Sequence, residues 1–266
     1  MSERDLYQPG VPCWVDALVP DPARAMEFYG RLLGWEFEGP GPMPGDPPGE
    51  YFVARVRGRD VAGIGSQPPD VPVVAWSTHV SVASAAEAAQ AAHSAGGEVI
   101  RPAFDAPPAG RLAVLADPSG AAFGAWQPID RHGAQLVNAP SAWAMSILHT
   151  PDPDAAKDFY RDVFGWESEP FGPGLTLFRL PGYVGGEPAQ PVPRDVVAVM
   201  APLEDEATPA HWSVGFWVND ADQVAEQAPR LGGQVIAAPF DAGAMRQAVL
   251  ADPDGAAFSV TTAPQS

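Results

Sequence analysis

Short apolar stretches, broken by glycine and proline, alternate along the chain with segments that carry helix start and stop signals. The first stretch, Trp14 to Val19, predicts a strand, and Asp21 predicts the N-cap of a helix that Gly34 ends. The Gly- and Pro-rich segment Gly39 to Gly49 predicts a loop. Two β-branched stretches after it predict strands, Tyr51 to Val56 and Val61 to Gly65. The order of elements indicates a βαβββ-like module.

A second module of the same kind follows directly. Thr78 to Val82 predicts its first strand, and Ser84 with Glu87 forms a capping box that opens an Ala-rich helix. Gly96 and the glycine after it end this helix. Further strands are predicted at Glu98 to Arg101, Leu112 to Leu115 and Ala121 to Trp126.

The whole pattern then recurs about 130 residues later in the chain. Three pairs of residues return in the same order: Asp21-Pro22, Phe28-Tyr29 and Gly34-Trp35 as Asp152-Pro153, Phe159-Tyr160 and Gly165-Trp166. The segments Asp117-Pro118-Ser119-Gly120 and Asp252-Pro253-Asp254-Gly255 match in the same way. The repeat predicts two domains, residues 1–133 and 134–266, and four βαβββ modules of the α+β class.

Composition and charge exclude several classes of function. The chain has 15 basic and 33 acidic residues, and its net charge of −18 repels nucleic acid and anionic lipid. A single cysteine, Cys13, excludes an intrachain disulfide, and we expect it to be a small buried apolar residue. The first residues lack a secretory signal and no apolar run is long enough to span a bilayer, so we expect a soluble, cytoplasmic protein.

These motifs together resemble the vicinal oxygen chelate superfamily, which includes glyoxalases, bleomycin resistance proteins and extradiol dioxygenases. They are a strand ending in Asp-Pro, Phe-Tyr and Gly-Trp on the next helix, and a later Asp-Pro-x-Gly-Ala-x-Phe. Two-domain actinobacterial glyoxalase-like members are the most similar in organisation. The resemblance implies that paired modules form half-barrel cups, giving two glyoxalase-like domains.

The resemblance also implies a divalent metal ion in each cup, held by side chains on the first and last strands of each module. Counting from the Asp-Pro motifs assigns those ligand positions to Trp14, Ser77, Gly124, Met145, Ser213 and Ser259. None of these is His, Glu, Asp or Cys, the residue types that usually hold such an ion. We therefore expect no metal site and no cofactor.

The first cup offers a candidate acid–base pair in place of the metal. Side chains two apart on a strand share a face, so Trp14 and Asp16 point the same way. The equivalent face of the second module carries Ser77 and His79, which makes His79 the counterpart of Asp16. A carboxylate can orient an imidazole as a general base. A structural polar contact is the alternative interpretation, and the sequence leaves both open.

Further side chains are candidate ligand contacts. Trp126 and Trp217, like Trp14, offer flat surfaces for a planar molecule, or else form part of the core. Arg111 and Arg246 occupy matching places before the two Asp-Pro motifs, where each either binds an anionic group or forms a surface ion pair. His149 is a lone histidine in the second cup, which shows no acid–base pair.

Two functions follow from these observations. The first is a metal-independent, glyoxalase-like enzyme of lyase, isomerase or hydroxylase type, acting on a small molecule in detoxification or secondary metabolism. The alternative is a non-catalytic protein that sequesters a drug or planar metabolite, as bleomycin resistance proteins do. The sequence leaves the oligomeric state open.

Overall fold

The computed structural model describes residues 3–45, 47–71, 73–172, 174–185, 194–203, 205 and 207–262, which form two eight-stranded sheets. The first sheet contains β1 Pro12–Val19, β2 Glu36–Met43, β3 Gly49–Val56, β4 Arg59–Ser66, β5 Trp76–Ser81, β6 Glu98–Ala106, β7 Gly110–Ala116 and β8 Ala122–Pro128. The second contains β9 Trp143–Thr150, β10 Glu167–Phe171, β11 Leu175–Arg179, β12 Val196–Pro202, β13 His211–Val218, β14 Gln234–Ala242, β15 Met245–Ala251 and β16 Ala257–Thr262. The helices are α1 Pro22–Leu33, α2 Ala85–Ser94, α3 Pro153–Phe164 and α4 Ala221–Gln227, the last continued by a 3₁₀ turn, Ala228–Leu231.

Each sheet consists of two modules joined edge to edge. The strand order is β2-β3-β4-β1-β5-β8-β7-β6 in the first sheet and β10-β11-β12-β9-β13-β16-β15-β14 in the second. β1 pairs antiparallel with β5, and β9 pairs antiparallel with β13, so one such pair joins the modules of each sheet. The predicted α+β fold of four βαβββ modules in two half-barrel domains is confirmed. We call the inner faces of the two half-barrels the first cup and the second cup.

Capping explains where the helices begin and end. The Asp21 carboxylate accepts the backbone N–H of Arg24 at 3.1 Å, and Gly34 ends α1 in the left-handed conformation at φ 72°. Asp152 and Gly165 repeat this arrangement on α3. In the described part of the chain, no helix is long and apolar enough to cross a bilayer.

The first part of the segment predicted as a loop, Gly39 to Gly49, is a strand, because β2 extends to Met43. It lies at the edge of the first sheet and pairs only with β3, with a register shift between Glu38 and Gly41. A strand at a sheet edge tolerates proline, since the missing N–H costs no bond on its open side. Composition alone therefore gave the wrong element here.

The hydrophobic cores cross between the two halves of the chain. Phe28 of α1 packs against Phe258 of the second half, with ring centroids 6.3 Å apart, within a core that joins the first and fourth modules. Phe159 of α3 packs in the same way against Phe123 of the first half at 6.1 Å, in a core that joins the second and third modules. The cups pair modules within a half, while the cores pair modules across the halves. Neither half encloses a complete core alone.

A pair of matching hydrogen-bond chains runs through these cores. Trp76 Nε1 donates to Tyr29 Oη at 2.9 Å, and Tyr29 Oη donates to Asp252 Oδ2 at 3.1 Å. The second chain repeats the first, from Trp212 through Tyr160 to Asp117, at 3.0 and 3.2 Å. The tyrosine of each Phe-Tyr motif therefore donates to the aspartate of the Asp-Pro-x-Gly segment in the other half. Each tyrosine satisfies a buried donor and a buried carboxylate at once.

We predict that Tyr29→Phe and Tyr160→Phe each lower the free energy of unfolding by about 1–3 kcal/mol, because an indole N–H and a carboxylate oxygen lose their buried partner. Urea unfolding followed by far-UV circular dichroism and by tryptophan fluorescence measures the change. Both signals should fall in one transition, because each core contains residues of both halves. A variant that unfolds in two separate steps, one half at a time, would contradict the shared cores.

Candidate functional site

The β1–β5 pairing places four predicted site residues on one face of the first sheet. Trp14 lies opposite His79, and Asp16 lies opposite Ser77, so these side chains all point into the first cup. The half-buried Ser77 adjoins the pair, while Asp16 and His79 are 8% and 6% exposed. The structure thus brings together the residues that the sequence placed at equivalent positions.

A hydrogen-bond chain connects these side chains through a tyrosine. His79 Nε2 lies 2.8 Å from Asp16 Oδ1, while Tyr51 Oη donates to Asp16 Oδ2 at 2.9 Å. Trp14 Nε1 in turn donates to Tyr51 Oη at 2.7 Å. Both oxygens of the buried carboxylate therefore have partners, which offsets the cost of removing its charge from water.

Tyr51 is a hydrogen-bond donor in this chain because it keeps its proton. Burial raises the pKa of Tyr51 well above its usual value, and the nearby charge of Asp16 raises this pKa further. Sequence reasoning missed Tyr51, although the alternating glycines Gly63 and Gly65 of the predicted strand were a signal. A Cβ on Gly63 would overlap the Tyr51 hydroxyl, so glycine at this position leaves room for the ring.

The second ring nitrogen of His79 has no hydrogen-bond partner among the described residues. Nδ1 is buried and makes no hydrogen bond within the described residues. Its ring lies over Gly124 of β8, where a Cβ would overlap Nδ1. With Nε2–H donated to Asp16, the imidazole presents the lone pair of Nδ1 on the side of β8. Among the described residues, Nδ1 is therefore the basic atom of this hydrogen-bond chain that accepts no hydrogen bond.

The donor set does not fit the divalent metal ion of the resembled superfamily. Asp16 lies opposite Gly63 in register, just as His79 lies opposite Gly124, so Gly63 completes the four ligand positions of the first cup. Those positions then hold two glycines, a serine and an indole, which cannot form the set of nitrogen, oxygen or sulfur ligands that such an ion needs. Within the described ranges, no three His, Cys, Asp or Glu side chains are grouped to hold a metal.

The segment between the halves lies against both tryptophans of the first cup. Trp126 Nε1 donates to the carbonyl oxygen of Arg131 at 2.9 Å, and the Arg131 guanidinium lies 5.8 Å from the centre of the Trp14 ring. Arg131 pairs with the buried Asp60, and a cavity of about 290 Å³ lies beside both residues. Trp14 is 6% exposed, so the half-buried Trp126 offers the more accessible ring surface.

The structure places Arg111 and Arg246 on the outer face of their sheets, where each forms an ion pair, the second of the two roles that the sequence left open. Arg111 lies opposite Gln127, whose side chain accepts the first backbone N–H of α2 at 3.1 Å. The Arg111 guanidinium pairs with Asp105 at 2.7 Å. Arg246 donates two hydrogen bonds of 2.9 Å to Asp222 of α4. Neither arginine reaches the inside of a cup, because alternate residues of a strand face opposite sides.

The second cup contains a stacked pair of histidines. His149 lies opposite His211 in register, with ring centroids 4.7 Å apart and nearly parallel. His149 Nε2 lies 2.9 Å from Ser213 Oγ. The half-buried Trp217 shares this face with Ser213, since the two residues are four apart on β13. Sequence reasoning missed His211. The pseudo-twofold relation that makes His79 the counterpart of Asp16 also predicts that His211 lies opposite His149.

Burial lowers the pKa of His149 from 6.5 to about 4, and the adjacent His211 adds to the effect. The ring is therefore neutral at pH 7. In the part of the chain that the structure describes, no carboxylate contacts either histidine of this cup. The two cups thus differ in chemistry: the first holds an imidazole–carboxylate pair, and the second holds the neutral imidazole of His149 on the same face as an indole.

Comparison with known families matches both halves of the chain. Residues 13–124 match the glyoxalase/bleomycin resistance protein/dioxygenase superfamily, and residues 132–261 match a glyoxalase-like domain. The chain is 37% identical to CFP32 of Mycobacterium tuberculosis, which is named provisionally as a glyoxylase, covering 98% of this chain and 97% of that protein. It is 32% identical to the anthracycline biosynthesis protein DnrV of Streptomyces peucetius, covering 96% and 94%.

Solved structures show the same fold at low sequence identity. A Mn(II)-bound glyoxalase from Novosphingobium aromaticivorans matches with a TM-score of 0.64 and 17% identity, covering 98% of this chain and 84% of that one. The 2,3-dioxygenase LapB from Pseudomonas sp. KL28 matches with a TM-score of 0.61 and 16% identity, covering 97% and 94%.

We predict that His149 makes the protein less stable as the pH falls from 6.5 toward 4. In this range the unfolded chain binds a proton at this histidine that the folded chain does not. The free energy of unfolding therefore falls until the pH reaches the folded pKa of about 4. Urea unfolding at several pH values should show a shallower loss for His149→Gln than for the unchanged protein.

The matched control for this experiment is His93→Gln on the exposed side of α2. Equal pH dependence of the unchanged protein and His149→Gln would show that His149 is not held neutral in the second cup.

Proposed function

Since the chain belongs to the glyoxalase/bleomycin resistance protein/dioxygenase superfamily, we propose that its first cup transfers a proton to and from a small organic molecule without a metal ion. The observation that supports this most strongly is the buried Asp16–His79 pair, whose Nδ1 atom makes no hydrogen bond to any described residue. An imidazole whose other nitrogen is fixed by a carboxylate is one arrangement that serves as a general base.

The chemistry follows from the two ring nitrogens of His79. Asp16 holds the proton on Nε2, so Nδ1 accepts a proton from an acidic C–H or O–H bond of the substrate. The C–H bond breaks, its electron pair stays on the substrate as an enolate, and the new imidazolium is stabilised by the Asp16 carboxylate. Return of the proton to another carbon completes an isomerase reaction. In a lyase reaction the electron pair of the enolate instead expels a leaving group, which takes up the proton from Nδ1 of His79 and so restores the neutral imidazole.

Metal independence is proposed because of which residues occupy the ligand positions. The related glyoxalase of Novosphingobium aromaticivorans is Mn(II)-bound, whereas the corresponding places of this first cup carry Trp14, Ser77, Gly63 and Gly124. The rings of Tyr51 and His79 lie over the two glycines. In this proposal, hydrogen bonds around Asp16 take the place that metal ligands hold in that relative.

The proposed substrate is a planar aromatic molecule. DnrV takes part in anthracycline biosynthesis by its name, which supports a polycyclic ligand for this chain as well. Phe104, Leu112 and Trp126 lie next to one another in register on the inner face of the first sheet, and all three are half-buried. Such a row of apolar and aromatic side chains suits a flat ring system.

A second candidate function, a protein that only binds its ligand, is favoured by one feature of the second cup. Its inner face carries Met145, Trp217 and the neutral His149, with no imidazole–carboxylate pair among the described residues. This composition can hold an aromatic molecule but offers no strong base at neutral pH. We propose that the second cup binds or braces and does not catalyse.

We predict that Asp16→Asn and His79→Gln each reduce proton transfer by about 10²- to 10⁴-fold. The assay incubates polycyclic hydroxyquinones that carry an acidic C–H next to a ketone with protein in D2O and a metal chelator, and measures deuterium uptake by mass spectrometry. His149→Gln is the matched control in the second cup and should keep full activity. Quenching of tryptophan fluorescence verifies that each variant still binds the quinone.

Three results would contradict the proposal in different ways. Full activity in both variants of the first cup would exclude the Asp16–His79 pair as the base. Loss of activity with the chelator would exclude metal independence. Fluorescence quenching by a quinone that is recovered without deuterium would favour the binding function over the enzyme.

A further inference from the structure

Arg101 lies inside the first cup, in the same row of residues as His79. It pairs in register with Val114 of β7, Val114 pairs with Gly124 of β8, and Gly124 pairs with His79 of β5. Residues that are directly opposite on neighbouring strands point to the same side of a sheet. Neighbouring strands are about 4.8 Å apart, and three such steps place the Cα atoms of Arg101 and His79 about 14 Å apart along the curved sheet.

The floor next to Arg101 is low at Val114, whose side chain is small, and beyond it the ring of His79 covers Gly124. The Nδ1 atom of His79 lies on the side of β8, over Gly124 and toward this floor. Next to this row lies the apolar row of Phe104, Leu112 and Trp126 on the same face. A flat molecule on this surface can therefore approach the His79 ring at one end and contact the guanidinium at the other.

The guanidinium of Arg101 has no carboxylate partner among the described residues. Its Cζ lies 3.9 Å above the centre of the Phe104 ring, and the residue is half-buried. The chain has more than twice as many acidic as basic residues, and arginines such as Arg55, Arg179 and Arg246 each pair with two carboxylates. A guanidinium held on an aromatic ring inside a cup keeps its donors available for an anion from solution.

We propose that Arg101 is the anion-binding residue of the first cup and that the ligand is an aromatic carboxylate or phenolate. Its guanidinium donates to the anionic group, while the ring system lies on Phe104, Leu112 and Trp126. This orientation places the far end of the molecule near Nδ1 of His79. The inference rests on the proposed function for the base but adds the charge of the substrate and the residue that recognises it.

Arg111 provides a matched control on the same hairpin. It faces the outer side of the sheet and pairs with Asp105 at 2.7 Å, so its replacement removes the same charge outside the cup. Arg101→Gln and Arg111→Gln therefore change the net charge equally and differ only in the face they affect.

The test measures binding of anthraquinone-2-carboxylate and of its uncharged methyl ester by quenching of tryptophan fluorescence. Arg101→Gln should weaken binding of the carboxylate by about 10- to 100-fold, because a charge-assisted hydrogen bond is lost, and should leave binding of the ester unchanged. Arg101→Lys should retain part of the affinity, and Arg111→Gln should bind both probes as the unchanged protein does.

Equal affinity of the unchanged protein and Arg101→Gln for the carboxylate would overturn the inference, as would equal losses for the carboxylate and the ester. Failure of the unchanged protein to bind the carboxylate would also overturn it. Deuterium uptake in Asp16→Asn and His79→Gln tests the base separately. Arg101-dependent binding together with unaffected proton transfer would support anion recognition and refute the proposed catalysis.

Discussion

The antiparallel pairing of β1 with β5 is the constraint on which the first cup depends. It joins two modules along one edge and fixes Trp14 opposite His79 and Asp16 opposite Ser77. A slip of β5 by one residue against β1 would turn Ser77 and His79 to the outer face and leave Asp16 without its imidazole, because the side chains of a strand alternate. Backbone hydrogen bonds between two strands that are far apart in sequence therefore bring the carboxylate and the imidazole together.

Two glycines decide what this pairing encloses. Gly63 and Gly124 occupy equivalent positions on the strands that flank β1 and β5, and each leaves room for a ring from a neighbouring strand. Tyr51 and His79 fill that room and both bond to Asp16. The first half-barrel thus encloses a network of hydrogen bonds around one buried carboxylate.

The sequence predicted what its repeats encode and missed what depends on the packing of distant segments. Counting residues back from the helix N-caps placed Asp16 and His79 at equivalent sites, because the pseudo-twofold axis relates the two modules of the first cup. It left open whether Arg111 binds an anion or forms a surface ion pair, since the motif gives position along the strand but not which side the residue faces. Arg101 was missed because register shifts in β6 change the face, and the bonds of Tyr29 across the halves have no local signal.

The central claim is that Asp16 keeps the proton of His79 on Nε2 and leaves Nδ1 as the base. Nitrogen-15 NMR of histidine-labelled protein measures this directly, with the His79 signals assigned by comparison with His79→Gln. At a pH where the ring is neutral, we predict a protonated Nε2 and an unprotonated Nδ1 whose signal moves when the ligand binds. A proton on Nδ1 of the neutral ring would contradict the account.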